Sequence, residues 1–112
     1  MTTPPGFNDI DLETFSAGLA DGTIVAVDVR EADEYTAGHI AGAIFNPLSK
    51  FDAGKIPAAQ PGKKIVIYCR SGRRSVTAME QARLLGRRDA DTHYAGGILG
   101  WLNAGKPVVQ GM

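Results

Sequence analysis

Short apolar runs alternate along this chain with segments of helical spacing, and glycine, proline or charged residues punctuate almost every junction. Thr23 to Val29 reads as an apolar strand, and Ile65 to Tyr68 is a short apolar run without polar alternation, the pattern of a parallel strand covered on both faces. Ala43 to Phe45 and Asp91 to Tyr94 are predicted as shorter strands. Asp11 is placed to cap a helix through Leu19, with Ile10 and Phe15 at staple positions and Gly22 near the exit. Glu31 to Ala37 reads as a short helix before the turn at Gly38, and Pro47 starts a short helical piece. Ala53 to Gly62 is a proline- and glycine-bearing connection. A helix is predicted over Ser75 to Arg88 and a last one over Ile98 to Asn103, stopped by Gly105 and Pro107. Residues 1 to 8 read as a flexible tail ahead of one domain over 9–112. Strand and helix alternate throughout, so the expected fold is α/β: a mostly parallel central sheet of about five short strands, helices on both faces, right-handed crossovers.

Length and charge narrow the picture. A chain of 112 residues fits one domain that buries a core without staples. Twelve basic and twelve acidic side chains cancel, which argues against nucleic acid, a membrane surface or a polyanion as partner. Met-Thr-Thr-Pro-Pro at the N-terminus has no basic region followed by an apolar stretch, and no apolar run approaches ~18 residues. The expectation is a soluble cytoplasmic protein, and the single cysteine excludes an internal disulfide.

That cysteine is where the chemistry concentrates. In Ile65-Val-Ile-Tyr-Cys-Arg-Ser-Gly-Arg-Arg-Ser75 the apolar run ends on Cys69 and opens into a basic, glycine-containing loop. Cys69 thus stands at the carboxyl end of a strand, where open α/β sheets place their ligand crevice. The loop Arg70, Ser71, Gly72, Arg73, Arg74, Ser75 contains no proline, so each residue offers an amide, and Gly72 permits the positive φ of an anion-binding nest. A following helix dipole and three guanidinium groups also favour a thiolate. A lone cysteine at a strand end is commonly an inert hydrophobe. Three arginines and a glycine directly after it point instead to a catalytic Cys69 in a solvent-reachable cradle, with Arg70 to Ser75 binding an anionic substrate.

The chain resembles a single rhodanese-homology domain. The resemblance is carried by Asp28-Val-Arg30, Glu34-Tyr35, Gly38-His-Ile-Ala-Gly-Ala43, Cys69-Arg-Ser-Gly-Arg-Arg74, Gly96-Gly97, Trp101, Gly105 and Pro107-Val108. It implies a thiosulfate sulfurtransferase-type enzyme. Cys69 would take a sulfane sulfur from a thiosulfate-like or persulfide donor, hold it as a persulfide, and pass it to cyanide, a thiol or a protein thiol. The resemblance implies no cofactor and no metal. Glu34 stands where some thiosulfate-active relatives carry a basic residue, a departure that bears on the natural donor.

Two other readings remain open at this stage. Cysteine-dependent phosphatases and arsenate reductases set an arginine where this chain has Ser75, and Arg74 falls one residue short of that position. A persulfide carrier or protein-docking module would keep the cysteine without turnover. Several residues read as structural: His39 in a Gly-His-Ile turn satisfying the backbone, His93 with less claim still, Asp28 with Arg30 as an internal ion pair, Trp101 packing the last helix, and Arg87-Arg88 as a solvated helix end.

Overall fold

The computed structural model describes residues 3–111; Met1, Thr2 and Met112 lie outside them, and with them the first two positions of the expected tail. Among the described residues the strands are β1 (Asn8–Asp9), β2 (Ile24–Asp28), β3 (Ile44–Phe45), β4 (Lys64–Tyr68) and β5 (Thr92–His93). The helices are α1 (Leu12–Asp21), α2 (Ala32–Ala37), α3 (Arg73–Leu84) and α4 (Gly97–Asn103), with 3₁₀ turns at Leu48–Lys50 and Ala53–Lys55. The strands form one all-parallel sheet in the order β1-β5-β4-β2-β3. The expected α/β architecture is therefore the observed one.

Strand alternation sorts the core into two layers. Successive side chains of a strand point to opposite faces. Val27, Ile65, Ile67 and Cys69 accordingly pack with Ala78, Met79 and Ala82 of α3. On the other face Ala26, Val66 and Tyr68 pack with Phe15 of α1 and with Ile98 and Trp101 of α4. Phe15 is the hub there, stacked on Tyr94 at 5.0 Å and edge-on to Trp101 at 5.8 Å between ring centroids. Trp101 does pack the last helix onto the sheet, and its indole N–H donates to Pro107 O at 2.7 Å. Asp11 caps α1 as predicted, accepting from the Thr14 amide at 2.7 Å.

The sheet order also locates the crevice. From β2 the chain runs outward to β3, whereas from β4 it runs to β5 on the opposite side, so the winding direction switches between β2 and β4. Ligand crevices open at the carboxyl ends of strands flanking such a switch. Arg30 follows β2 there, and Cys69 follows β4.

Four expectations need correction. The segment read as a tail is engaged from Thr3 onward: Thr3 bonds to His93, Phe7 packs on the core under the Arg83 guanidinium, and Asn8 belongs to β1. Its cause is the open edge of β5, whose flanking carbonyls accept from the Asn8 and Ile10 amides. The helix after the cysteine starts at Arg73 rather than Ser75, because Gly72 at φ 92° already terminates the turn. It ends at Leu84 rather than Arg88, because Gly86 turns left-handed at φ 85°. Arg87 is consequently not a solvated helix end. Its guanidinium folds back onto the carbonyls of Ala53, Ile56 and Pro57 and onto Asp89, clamping the connection that precedes β4.

Candidate active site

The loop after β4 closes over Cys69 within a few residues. Gly72 adopts φ 92° and ψ 0°, a left-handed turn, and a Cβ there would stand 2.7 Å from the Ala95 carbonyl oxygen. That turn aims two amides at one atom: Gly72 N–H and Ser75 N–H donate to Cys69 Sγ at 3.2 and 3.4 Å. The Ser75 hydroxyl lies 3.6 Å from the same sulfur. Ser75 sits in the first turn of α3, so the sulfur also faces the positive end of that helix. Of the six residues expected to cup the anion, Gly72 and Ser75 bond the sulfur directly, and Arg70 and Ser71 form the exposed outer turn.

The sulfur is not solvent-reachable as expected. Cys69 is 0 % exposed and belongs to the cluster of Val27, Ile67 and Met79. Tertiary packing causes this. The amides of Ile98 and Leu99 at the start of α4 donate to the Cys69 and Arg70 carbonyls at 2.9 and 3.2 Å, drawing the loop down onto the strand end. The cradle is thus closed over the sulfur.

The three arginines part company. Arg74 is held by Glu34 in a two-pronged pair, with nitrogen–oxygen distances of 2.7 and 2.9 Å. That contact, more than any other, pulls the Glu34 carboxyl down to about 2. Arg70 and Arg73 are exposed and make no ion pair among the described residues. The positive charge at the loop outside any ion pair among the described residues is therefore that of Arg70 and Arg73, and Glu34, which broke the resemblance, is Arg74's counter-ion.

Other flagged residues fall into place around this loop. Arg30 and Asp28 form the internal ion pair, buried and forked at 2.8 to 3.2 Å, and Arg30 also donates to Gly38 O at 2.7 Å. His39 is engaged with the backbone, its Nδ1 2.8 Å from Tyr35 O, and its ring stacks on Tyr35. Beside the loop, Arg30, Glu34, Arg70, Ile98, Leu99 and Leu102 line most of a groove of 460 Å³. A larger hollow of 760 Å³ lies by the amino ends of β2 and β4 and contains no loop residue, so size alone is no guide here. Among the described residues no three or more His, Cys, Asp or Glu side chains are grouped to hold a metal. No helix among them is long and apolar enough to cross a membrane.

His93, read from the sequence as structural, lies against the loop. Its Nδ1 lies 2.6 Å from Ser75 Oγ and its Nε2 2.9 Å from Thr3 Oγ1, and the residue is 1 % exposed. Only the pairing of β4 with β5, Ile67 opposite His93, brings it beneath α3. The one signal in the sequence was a histidine in a short strand at the sheet's carboxyl edge.

With this geometry in hand, similarity to known proteins becomes informative. A family model described as Rhodanese-like domain matches residues 11–104. The chain is 40% identical over 87 residues to an uncharacterized protein of Synechocystis sp., covering 78% of this chain and 48% of that one, so it spans about half of that relative. It is 35% identical over 109 residues to a sulfurtransferase of Allochromatium vinosum, covering 91% and 94% of the two chains. The crystal structure of a rhodanese-related protein from Thermoplasma volcanium superposes with a TM-score of 0.74 at 30% identity, covering 92% and 98%.

Proposed function

The chain belongs to the rhodanese-like domain family, and from that premise we propose that it is a sulfurtransferase in which Cys69 carries the sulfur as a persulfide. One observation carries the reading: the only cysteine holds its sulfur at the focus of two amides and a helix N-terminus. That arrangement aims donors and a positive helix end at the place where an anionic persulfide would lie after transfer.

With a thiosulfate-like donor the Cys69 thiolate attacks the outer sulfur. A new sulfur–sulfur bond forms, the donor's own sulfur–sulfur bond breaks, and its electron pair leaves on sulfite, a low-pKa leaving group. An acceptor thiolate or cyanide then attacks the terminal sulfur and regenerates Cys69, a two-step covalent relay with ping-pong kinetics. Arg70 and Arg73 draw the donor to the loop. The groove lined by Leu99 and Leu102 beside Arg70 offers an acceptor a recess next to the loop. Because Cys69 is covered, a donor reaches the sulfur only when the loop and α4 part.

Two features count against a phosphatase reading. Ser75 occupies the position a tetrahedral oxyanion needs for its arginine, and Arg74, the nearest guanidinium in sequence, is committed to Glu34. The test is intact mass measurement after incubation with thiosulfate, beside an aryl phosphate assay. The expected result is one added sulfur, removable by reductant, with no phosphate release. A phosphocysteine, or no sulfur from thiosulfate or a persulfide donor, overturns the proposal.

Glu34→Gln gives a second expectation. Glutamine can keep the bond to the Glu31 amide seen at 3.1 Å, yet it removes the negative charge paired with Arg74. KM for an anionic donor should fall about threefold, and the gain should shrink as salt rises. Stability should drop by about 1 kcal/mol, discounted for a pair that is roughly 30 % exposed on each side. Since the Glu34 carboxyl is lowered in the folded state, the pair stabilises fully above the ordinary carboxylate range. That contribution drains as pH falls toward 2, as the variant's flatter acid unfolding curve should show.

A further inference from the structure

A thiol sealed from water still needs a way to lose its proton. Cys69 and Ser75 are each 0 % exposed and His93 is 1 % exposed, so the sulfur has no direct route to solvent. A continuous line of polar atoms nevertheless leaves it: Sγ to Ser75 Oγ at 3.6 Å, Ser75 Oγ to His93 Nδ1 at 2.6 Å, His93 Nε2 to Thr3 Oγ1 at 2.9 Å. Thr3 is partly exposed. We propose that Ser75, His93 and Thr3 form the proton exit of Cys69, with His93 the positioning residue that turns the Ser75 hydroxyl toward the sulfur. The inference rests on Cys69 being the nucleophile.

The line has two complete hydrogen-bonding directions, since a hydroxyl and an imidazole each donate and accept. In the thiol form Sγ–H donates to Ser75 Oγ, Ser75 O–H donates to His93 Nδ1, and His93 Nε2–H donates to Thr3 Oγ1. On ionisation the S–H bond breaks and leaves its electron pair on sulfur. Its proton passes to Ser75, the Ser75 proton passes to Nδ1, and the Nε2 proton passes to Thr3, which releases its own to water. Ser75 and Thr3 remain hydroxyls, and His93 begins and ends neutral as the other tautomer. The reversed line now points Ser75 O–H at the thiolate, a third donor beside the amides of Gly72 and Ser75.

The surroundings of His93 suit tautomer exchange rather than charge storage. Burial pulls its pKa below the ordinary histidine value, and the charge facing it, Asp9 on β1, works in the opposite sense with less effect. The Asp9 carboxylate meanwhile accepts from the Ala95 amide at 3.0 Å. β4 presents apolar Ile67, and α3 presents Ser75.

Two measurements test this, and neither needs a sulfur donor. Nitrogen NMR of the wild-type imidazole across the pH range should show His93 switching from Nε2–H to Nδ1–H as Cys69 ionises. A tautomer that stays fixed overturns the proposal. Thiolate absorbance, unambiguous with one cysteine, should fall about tenfold at neutral pH in Ser75→Ala and in His93→Gln. The double variant should be no lower than Ser75→Ala alone, because both act through one hydroxyl. Unchanged thiolate in His93→Gln, or additive losses in the double variant, sinks it, and a purely structural His93 would lower stability without moving thiolate content. A protein that shows the switch yet transfers no sulfur keeps the proton exit and loses the sulfurtransferase reading.

Discussion

Replacing Cys69 with serine should abolish sulfur loading and transfer while leaving the fold intact. The new hydroxyl would sit where Gly72 and Ser75 now donate to sulfur at 3.2 and 3.4 Å, so its oxygen keeps both partners. Stability should therefore change by no more than about 1 kcal/mol, the range for a near-isosteric change without cavity or orphaned donor. Chemistry fails for a different reason. A serine hydroxyl stays protonated in a site with no strong base in contact, and oxygen forms no persulfide, so the covalent intermediate has nowhere to form. Intact mass after thiosulfate should show no added sulfur, and cyanide-dependent turnover should drop to the uncatalysed background. Cyanide-dependent turnover that survives in the serine variant would mean that Cys69 does not carry the sulfur.

What the sequence disclosed follows from where the information is local. β2 and β4 were legible because burial on both faces favours apolar runs, and Ala26, Val27, Val66 and Ile67 are all nearly or wholly inaccessible. The start of α1 was legible because Asp11 caps through its own side chain. β1 was not, since Asn8 and Asp9 are polar and exposed and become a strand only because β5 offers a free edge. The start of α3 was misplaced by two residues. Serine is the usual capping signal, whereas here the left-handed Gly72 takes the cap position and Ser75 turns inward to the sulfur.

The site divides along the same line. Cys69 and its loop could be read from adjacent residues, and so could the presence of three arginines. Which arginine is free could not, because Glu34 reaches Arg74 across the crevice from α2. Closure of the cradle and the position of His93 are likewise tertiary features: one depends on α4 docking against Arg70, the other on β5 lying beside β4. On the proposed reading the strand end supplies the nucleophile, while its proton route and its cover come from distant segments.

The cover yields the second large expectation, at Gly97. Its φ of +62° is left-handed, and a Cβ would stand 2.3 Å from the Arg70 carbonyl oxygen and 2.7 Å from that of Cys69. Both obstacles are backbone at the end of a central strand, so neither can swing aside. Gly97→Ala must therefore push α4 off the loop and break the Ile98 and Leu99 amide bonds to those carbonyls. The conformation alone costs about 1–2 kcal/mol for an L-residue, and the clash adds to it, so urea unfolding should show a loss above about 2 kcal/mol. Sulfur transfer should fall about a hundredfold, the consequence of moving Sγ relative to the Gly72 and Ser75 amides. Gly105→Ala separates the two causes, because Gly105 also has positive φ, +75°, but a Cβ at that position would meet nothing within 4 Å. That variant should lose about 1 kcal/mol and keep full transfer. Equal damage from both substitutions would mean that backbone strain, and not the seat of α4 on the loop, holds the cradle shut.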